Sequence, residues 1–352
     1  MNAEELIAAA AANRASDVHL VCGTYPCFRI AGTLIRQTDL PLLTPELIGR
    51  LAGELAGDKL EELNAVGEAD SSATIAGVRV RVNLFRQQNG ISAAVRLLAD
   101  HIPELGSLGL PPKVDELVEL RQGFVLVTGE TGSGKSTTLA AFIDRINHTR
   151  AEHVLTLEDP IEYQYIPDKC LFNQREIGRD TGSFAAALRA ALREDPDVIL
   201  VGELRDRETI EAALAAAETG HLVLGTLHTG SAADTIDRIV GVFPEERQQQ
   251  IRMQLSMTLR AVLSQQLLPV KDGGGRVCAC ELMVVNAAIR NLIREGKTPQ
   301  INNTIATSAD EGSVTMDAAL VRLYRARKIS GKTALAAARE PAMLKKHIPT
   351  VL

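Results

Sequence analysis

The feature that most constrains this sequence is a glycine-rich segment at residues 129–136, GETGSGKS, which fits the phosphate-binding pattern G-x-x-x-x-G-K-[ST]. The apolar residues 124–128 precede it and predict a buried strand. After it, Leu139, Ile143 and Ile146 recur at helical spacing. Strand, glycine-rich loop and helix in this order are the context that the motif requires, so we expect the chain to bind a nucleoside triphosphate.

The chemistry of this loop follows from its residue types. Glycine tolerates left-handed backbone angles, which turn N–H groups toward an anion, and the helix that follows adds the positive end of its dipole. We expect Lys135 to reach the β- and γ-phosphates and Ser136 to bind Mg²⁺. The residues predicted to contact the nucleotide here are Gly129, Thr131, Gly132, Ser133, Gly134, Lys135, Ser136 and Thr137.

Composition limits the partners that such a chain can have. A formal net charge of −6 and 3% aromatic residues leave no overall basic field and few rings for base stacking, so no nucleic acid partner is expected. The five cysteines are scattered, and no second pair follows Cys278 and Cys280 at zinc spacing, so we expect reduced thiols and no zinc site. No apolar run reaches about 18 residues, which predicts no transmembrane segment and a cytoplasmic location.

Beyond the loop, the sequence alternates between strand and helix signals, which is typical of a parallel sheet. The predicted strands and helices lie at residues 153–157, 184–193, 197–203, 209–218 and 222–228. Ligands in such sheets bind at the carboxyl ends of the strands. By this rule Glu158, Asp159, Glu203 and His228 should converge beside Lys135.

Phosphoryl transfer to water needs a metal, positive charge on the phosphates and a group that orients the attacking water. Glu203 ends an apolar strand where a metal-binding or water-activating carboxylate belongs, and Glu158 offers a second one. Asp159 could bind the nucleotide or, with the proline after it, simply end its strand. His228 could hydrogen-bond the γ-phosphate or a carboxylate, and His221 could support it or act as a cap. We therefore predict Lys135, Glu158, Glu203 and His228 as catalytic, Asp159 and His221 as nucleotide-binding, and Ser136 and Glu203 as the metal site.

The chain before the loop predicts a separate unit. We expect a small α+β domain over residues 1–100, a linker over 101–113 and a second domain over 114–352. Residues 78–85 alternate as a strand that continues through a hairpin turn at 88–90, and Arg79 and Arg81 lie on the face opposite the valines. This positive patch could be a solvated strand face, or it could meet phosphate or the acidic groups of a neighbouring subunit.

Four motifs in this order resemble those of the type II/type IV secretion ATPase superfamily. They are similar to its Walker A motif, Asp box, atypical Walker B motif and His box. The matching segments are residues 129–137, TLEDPIEY at 156–163, LREDPDVILVGELRD at 192–206 and ETGHLVLGTLHT at 218–229. Gly202 stands where an acidic residue usually precedes the Walker B carboxylate, and this departure is itself the superfamily's pattern.

Within the superfamily the chain resembles the pilus-retraction, or twitching motility, ATPases. The segment ASDVHL at residues 15–20, the lack of a four-cysteine insertion and AIRNLIREGK at residues 288–297 carry this resemblance. It implies a PAS-like N-terminal domain, a RecA-like ATPase domain with C-terminal helices, and a homohexamer that uses ATP and Mg²⁺. It also implies a location at the inner face of the cytoplasmic membrane, beside an inner-membrane pilus platform protein.

The resemblance gives two arginine pairs a role. Arg79 and Arg81 would approach the ATP held by a neighbouring subunit, and Arg290 and Arg294 would couple the motor to the pilus machine. We expect the portion from about residue 244 to 352 to be helical, with one long amphipathic segment over 245–268. A pilus-assembly or type II secretion ATPase, or a nucleotide-gated regulatory module with little turnover, remains an alternative function.

Overall fold

The computed structural model describes residues 1–30, 32–88, 90–98, 101–271 and 273–348, and of Asp58 only the backbone. The predicted turn at residues 88–90 and the predicted domain end at residue 100 therefore include positions outside the described residues. The chain forms two compact units. The first comprises residues 1–101 with 160–164, and the second comprises residues 102–159 with 165–352.

The first unit is an antiparallel sheet with helices. Its helices are α1 (Ala3–Ala12), α2 (Pro45–Ala56) and α3 (Leu60–Val66). Its strands are β1 (Ala15–Val21), β2 (Cys27–Ile30), β3 (Thr33–Arg36), β4 (Glu68–Ile75), β5 (Val78–Gln87) and β6 (Gly90–Leu97). Their order across the sheet is β3-β2-β1-β6-β5-β4. The predicted alternation of β5 is confirmed, because Val80, Val82 and Leu84 are fully buried while Arg81 is exposed.

The second unit is larger and contains the glycine-rich loop. Its strands are β7 (Gly123–Thr128), β8 (His153–Glu158), β9 (Leu171–Glu176), β10 (Val198–Val201), β11 (Leu222–Leu227), β12 (Leu259–Pro269) and β13 (Arg276–Val284). The helices up to the last strands are α4 (Lys113–Val118), α5 (Lys135–Thr149), α6 (Phe184–Ala191), α7 (Arg207–Glu218), α8 (Ala232–Gly241) and α9 (Glu245–Thr258). After them come α10 (Ala287–Glu295), α11 (Ile301–Thr307), α12 (Met316–Arg325), α13 (Gly331–Ala337) and α14 (Pro341–Leu344).

The sheet of the second unit has the order β13-β12-β7-β11-β10-β8-β9. The six strands from β12 to β9 in this order run parallel to one another. The edge strand β13 pairs with β12 in the antiparallel sense. Every residue of β7, β10 and β11 is buried. The predicted parallel sheet is confirmed, and its uninterrupted apolar strands are those expected when helices cover both faces.

The prediction of one long helical segment over residues 245–268 is wrong. Helix α9 ends at Thr258, and the apolar residues that follow form β12, which pairs with β7 so that Val262 lies opposite Leu126. An apolar run of this length fits either a helix or a buried strand by its pattern alone. Here β12 pairs with the side of β7 that would otherwise be an unpaired edge, and this pairing decides the structure. Residues 276–284, also expected to be helical, form β13 instead, and the predicted C-terminal helices follow as α10 to α14.

No helix in the described ranges combines the length and the apolar character needed to cross a membrane.

Candidate active site

The glycine-rich loop joins β7 to α5 and has a backbone that only glycine tolerates at its start. Gly129, Gly132 and Gly134 have φ angles of 143°, 78° and 92°. A Cβ atom at Gly129 would lie 2.4 Å from the carbonyl oxygen of Gln265 on β12. The chain therefore turns tightly at this point and enters the first turn of α5 at Lys135, so the helix N-terminus follows the loop directly.

Two side chains of the loop are buried in a way that suits an anion. The Lys135 Nζ donates to the carbonyl oxygens of Gly129 at 2.8 Å and of Glu130 at 3.0 Å. The Ser133 hydroxyl is buried and has no hydrogen-bond partner among the residues that the structure describes. A buried ammonium and an unsatisfied hydroxyl at a helix N-terminus can both bond to phosphate oxygens, so the residues present fit a nucleotide phosphate.

The strand register brings the other predicted residues to the same edge of the sheet as the loop. Thr128 at the end of β7 pairs with Leu227 of β11, and His228 follows directly. Val201 of β10 pairs with Gly225 and with Leu157, and β10 and β8 end near these pairs. Glu203 thus follows the strand next to β11, and Glu158 ends the strand after that. All three side chains belong to the carboxyl edge that carries the loop.

Glu203 and His228 are in direct contact, together with an arginine that the sequence reasoning did not identify. The Glu203 Oε1 lies 2.6 Å from the Nε of Arg205 and 3.4 Å from the Nε2 of His228. Burial raises the pKa of Glu203, but the Arg205 guanidinium and the His228 ring outweigh it and lower the pKa below its ordinary value. Glu203 is therefore a charged carboxylate at neutral pH.

Arg205 is missing from the prediction because nothing in the motif states where its side chain points. Asp206, the next residue, caps α7 by accepting the backbone N–H of Thr209 at 2.9 Å. The link between β10 and α7 is therefore short, and Arg205 stays near the strand end that carries Glu203. An arginine two residues after a strand-end carboxylate is the available signal, and it is a weak one.

Glu158 lies further along the edge and has its own partners. It is 8% exposed, and its Oε1 accepts from the Thr156 hydroxyl at 2.7 Å and from the Gln174 amide at 3.4 Å. Asp159 is exposed. The pKa of Arg205 is raised chiefly by its hydrogen bond to Glu203, and Asp159 adds to this through its charge. Glu158 and Glu203 thus have separate environments on adjacent strands.

The structure places His221 away from this edge. It precedes β11, and its carbonyl oxygen accepts the Gly123 N–H at the start of β7. Its Nδ1 is 2.9 Å from the Ala216 carbonyl oxygen near the end of α7. About six residues of extended strand, roughly 20 Å, separate it from His228. These contacts fit the alternative of His221 as a cap, and its assignment as a nucleotide-binding residue stays a prediction.

The arginines of β5 belong to the first unit. The Arg79 guanidinium donates to the Ser72 hydroxyl at 3.0 Å and to the Ile161 carbonyl oxygen at 3.3 Å. The Arg81 side chain is exposed on the same strand face. These contacts fix Arg79 within its own unit. The expectation that either arginine approaches a nucleotide in a neighbouring subunit stays a prediction.

Helix α10 has the amphipathic form that the sequence predicts. Asn286 caps its first turn by accepting the Ile289 N–H at 3.0 Å, and the side chains of Ile289 and Ile293 are fully buried. Arg290 and Arg294 are exposed on the other side of the helix. The helix therefore packs through its isoleucines and presents two guanidinium groups to the surroundings of this unit.

Comparison with known proteins agrees with this geometry. The sequence profile of the type II/IV secretion system protein family matches residues 2–323. The type IV pilus retractation ATPase PilT of Pseudomonas aeruginosa is 47% identical over 343 residues, which cover 97% of this chain and 99% of that protein. A twitching motility protein of Neisseria gonorrhoeae is 48% identical over 313 residues, which cover 88% of this chain and 83% of that protein.

A solved structure extends the similarity to the fold. The crystal structure of the pilus retraction motor PilT with bound ADP has a TM-score of 0.92 and 49% sequence identity, and the match covers 98% of this chain and 99% of that one. The predicted resemblance to the secretion ATPases and the predicted α/β fold class are thereby confirmed.

Proposed function

The chain belongs to the family of type II/IV secretion system proteins, and from this premise we propose that it is an ATP-hydrolysing motor that powers retraction of type IV pili. Support comes from the two relatives named for pilus retraction and twitching motility, which match over most of their own length. The observation that carries the proposal is the charged carboxylate of Glu203, in contact with Arg205 and His228 at the sheet edge of the phosphate loop.

Each group at this edge has a defined task in hydrolysis. The loop amides and Lys135 hold the phosphates, and the positive end of α5 stabilises their charge. Glu203 accepts a hydrogen bond from the attacking water and orients it toward the phosphoryl group. His228 lies 3.4 Å from Glu203 and would link that carboxylate to the γ-phosphate through hydrogen bonds. Glu158 supplies a second carboxylate one strand away from Glu203, and Asp159 lies beside it as a further nucleotide contact.

Mg²⁺ is the expected companion of the nucleotide. Ser136, in the first turn of α5, would hold it through its hydroxyl, and Glu203 would hold it directly or through water. When bound, the ion neutralises charge that develops on the phosphates.

We infer that the working form is a homohexamer in which the first unit of one subunit serves the nucleotide of its neighbour. Arg81, exposed on β5, is the better placed of the two arginines for this task, because Arg79 already donates to Ser72 and Ile161. A guanidinium supplied in trans stabilises the charge on the transferred phosphoryl group. Neighbouring subunits would then complete one another's sites.

The output of the motor would pass through α10. Arg290 and Arg294 are exposed, and the helix is anchored by buried isoleucines, so a force on the guanidinium groups reaches the body of the unit. The partner is an inner-membrane pilus platform protein, which sets the position of the motor at the inner face of the cytoplasmic membrane.

A deletion strain tests this function against its main alternative. Loss of a retraction motor leaves cells with excess surface pili and no twitching, whereas loss of an assembly motor leaves cells without pili. The gene supplied in trans should restore twitching, and the Lys135→Ala variant should not. Release of inorganic phosphate by the purified chain separates both motors from a regulatory module with little turnover.

A further inference from the structure

A cavity of about 690 Å³ adjoins the phosphate loop within the second unit. Ser133, Gly134 and Thr137 form one wall, and Cys278 on β13 lies on another. Cationic side chains also line it, namely Lys271, Arg276, Arg327 and Lys328. The cavity is thus continuous with the residues that hold the phosphates and has a positive rim.

Two buried polar atoms on the wall of this cavity point to a ligand. The Ser133 Oγ and the Gln265 Oε1 both lack a hydrogen-bond partner within the described part of the chain. These residues are only 5% and 3% exposed. Buried polar atoms nearly always form hydrogen bonds. Two unpaired atoms on one wall therefore indicate that a bound molecule, or water that accompanies it, forms hydrogen bonds with them.

Cys278 forms a hydrogen bond with one of these residues. Its Sγ accepts from the Gln265 Nε2 at 3.4 Å, and the same Nε2 donates to the Thr138 hydroxyl of α5 at 2.8 Å. Cys280 lies two residues further along β13, and therefore on the same face of the strand. A group added to the Cys278 sulfur would occupy the space between β13 and the start of α5.

The surroundings favour the thiolate form of Cys278. The neighbouring Cys280 thiol lowers the pKa of Cys278 against the opposing effect of burial, and the Gln265 amide, whose Nε2 lies 3.4 Å from the Cys278 Sγ, adds to the lowering. The neighbouring Cys278 and burial raise the pKa of Cys280. Cys278 is half-buried beside a cavity with a cationic rim, a setting in which a thiolate can react.

We propose that Cys278 is a modification site at which S-thiolation by a low-molecular-weight disulfide closes the cavity to the nucleotide. The identity of the excluded ligand rests on the proposed function. The site would make hydrolysis sensitive to the thiol–disulfide balance around the motor.

The reaction is a thiol–disulfide exchange. The Cys278 thiolate attacks one sulfur of the small disulfide, a new S–S bond forms and the original S–S bond breaks. The released thiolate takes up the proton that Cys278 gave to solvent. Cys278 is oxidised as the small disulfide is reduced, and an excess of free thiol reverses the exchange.

The other cysteines provide internal controls. Cys170 is buried, its thiol donates to the Arg150 carbonyl oxygen at 3.2 Å, and burial raises its pKa. Cys22 and Cys27 are half-buried in the first unit and do not line this cavity. Modification that closes the cavity should therefore occur at Cys278 and at no other of these thiols.

In the test, the purified full chain is treated with oxidised glutathione, and the modified fraction of each cysteine is measured by peptide mass spectrometry. Cys278 should carry the adduct well before Cys170. ADP at about ten times its dissociation constant should slow this adduct about tenfold, because only the nucleotide-free fraction reacts. The rate at Cys22 and Cys27 should stay the same. Hydrolysis of ATP should fall in proportion to the modified fraction and return with dithiothreitol.

Two variants sharpen the result. In Cys278→Ser the ratio of treated to untreated hydrolysis rate should stay near one, and in Cys280→Ala the adduct at Cys278 should form more slowly. Full modification of Cys278 without loss of hydrolysis, or an adduct rate unaffected by ADP, would overturn the proposal. ADP protection of Cys278 in a chain that hydrolyses no ATP would support this site and refute the proposed function alone.

Discussion

The carboxylate of Glu203 is stabilised by two neighbours that act in the same direction. The Arg205 guanidinium donates to its Oε1, and the His228 Nε2 lies 3.4 Å from the same oxygen. The carboxylate therefore keeps its charge although it is partly buried. A group that orients water must accept a hydrogen bond at every turnover, and a carboxylate that is ionised at neutral pH meets that need.

Glu203→Gln removes the charge and keeps the shape of the side chain. We expect the hydrolysis rate to fall by about 10²- to 10⁴-fold, the usual contribution of such a group, while nucleotide binding persists. Phosphate release and the binding of a fluorescent nucleotide measure the two effects separately. Glu208→Gln, on the exposed start of α7, is the matched control and should leave both unchanged. Equal rates in the two variants would remove Glu203 from the mechanism.

Arg205→Gln should change the pH dependence of hydrolysis. Because Arg205 lowers the pKa of Glu203, its loss raises that pKa. Activity that needs the ionised carboxylate is present above the pKa and is lost as pH falls through it, so the acidic limb of the profile should move to higher pH. Arg189→Gln, which removes an exposed arginine 3.6 Å from Glu208, serves as control. An unmoved acidic limb in Arg205→Gln would contradict the assigned electrostatics.

At the scale of elements, the loop is fixed by its contact with β12. Gly129 has a φ of 143°, and a Cβ there would meet the Gln265 carbonyl oxygen at 2.4 Å. Gly129→Ala should therefore lower the free energy of unfolding by about 1–3 kcal/mol for the strained backbone alone, and abolish nucleotide binding. Urea denaturation measures the first effect.

A second glycine offers the control for that substitution. Gly241 is the last residue of α8, its φ is not positive, and a Cβ added there would meet no atom of the described residues within 4 Å. Gly241→Ala should be neutral or stabilising by up to about 1 kcal/mol. If the two alanine variants unfold at the same urea concentration, the contact between the loop and β12 does not constrain residue 129.

Helix α10 carries the next prediction. Arg294 is exposed, and its guanidinium contacts Asn291 at 3.4 Å on the same helix. Arg294→Ala should spare hydrolysis, since the residue lies on the helix surface, but should stop twitching. Complementation of the deletion strain measures motility, and phosphate release measures hydrolysis. Asn291→Ala tests whether loss of the local contact alone has this effect. Normal twitching in Arg294→Ala would remove the helix from the coupling path.

The elements that the sequence predicts well are those whose signal is local. The loop motif and the apolar strands β7, β10 and β11 could be predicted without knowledge of residues far away in the sequence. The same local rule places His221 at the amino end of β11, because it precedes that parallel strand, and there it contacts the end of α7. The strand β12 could not be predicted, since its apolar run also suits a helix and only the pairing with β7 decides. The contact of Arg205 with Glu203 could not be predicted either, because it depends on the direction of the Arg205 side chain, which sequence spacing does not fix.

At the scale of the whole molecule, the proposed exchange of arginines between subunits is open to a mixing test. Lys135→Ala and Arg81→Gln should each be inactive alone. After co-assembly in equal amounts, about a quarter of the sites pair an intact lysine with an intact neighbouring arginine, so about a quarter of the activity should return. A mixture of Lys135→Ala with Glu203→Gln is the control, because both defects lie in one subunit's own site. No recovery in the first mixture would refute a shared site.

The pairing of β12 with β7 has a consequence for any shortened form of this protein. A fragment that stops before residue 259 would leave an apolar strand with exposed amide and carbonyl groups along one side, which is a template for aggregation. It would also lack the carbonyl oxygen against which Gly129 turns. A stable fragment of the catalytic unit therefore cannot end between α9 and β12.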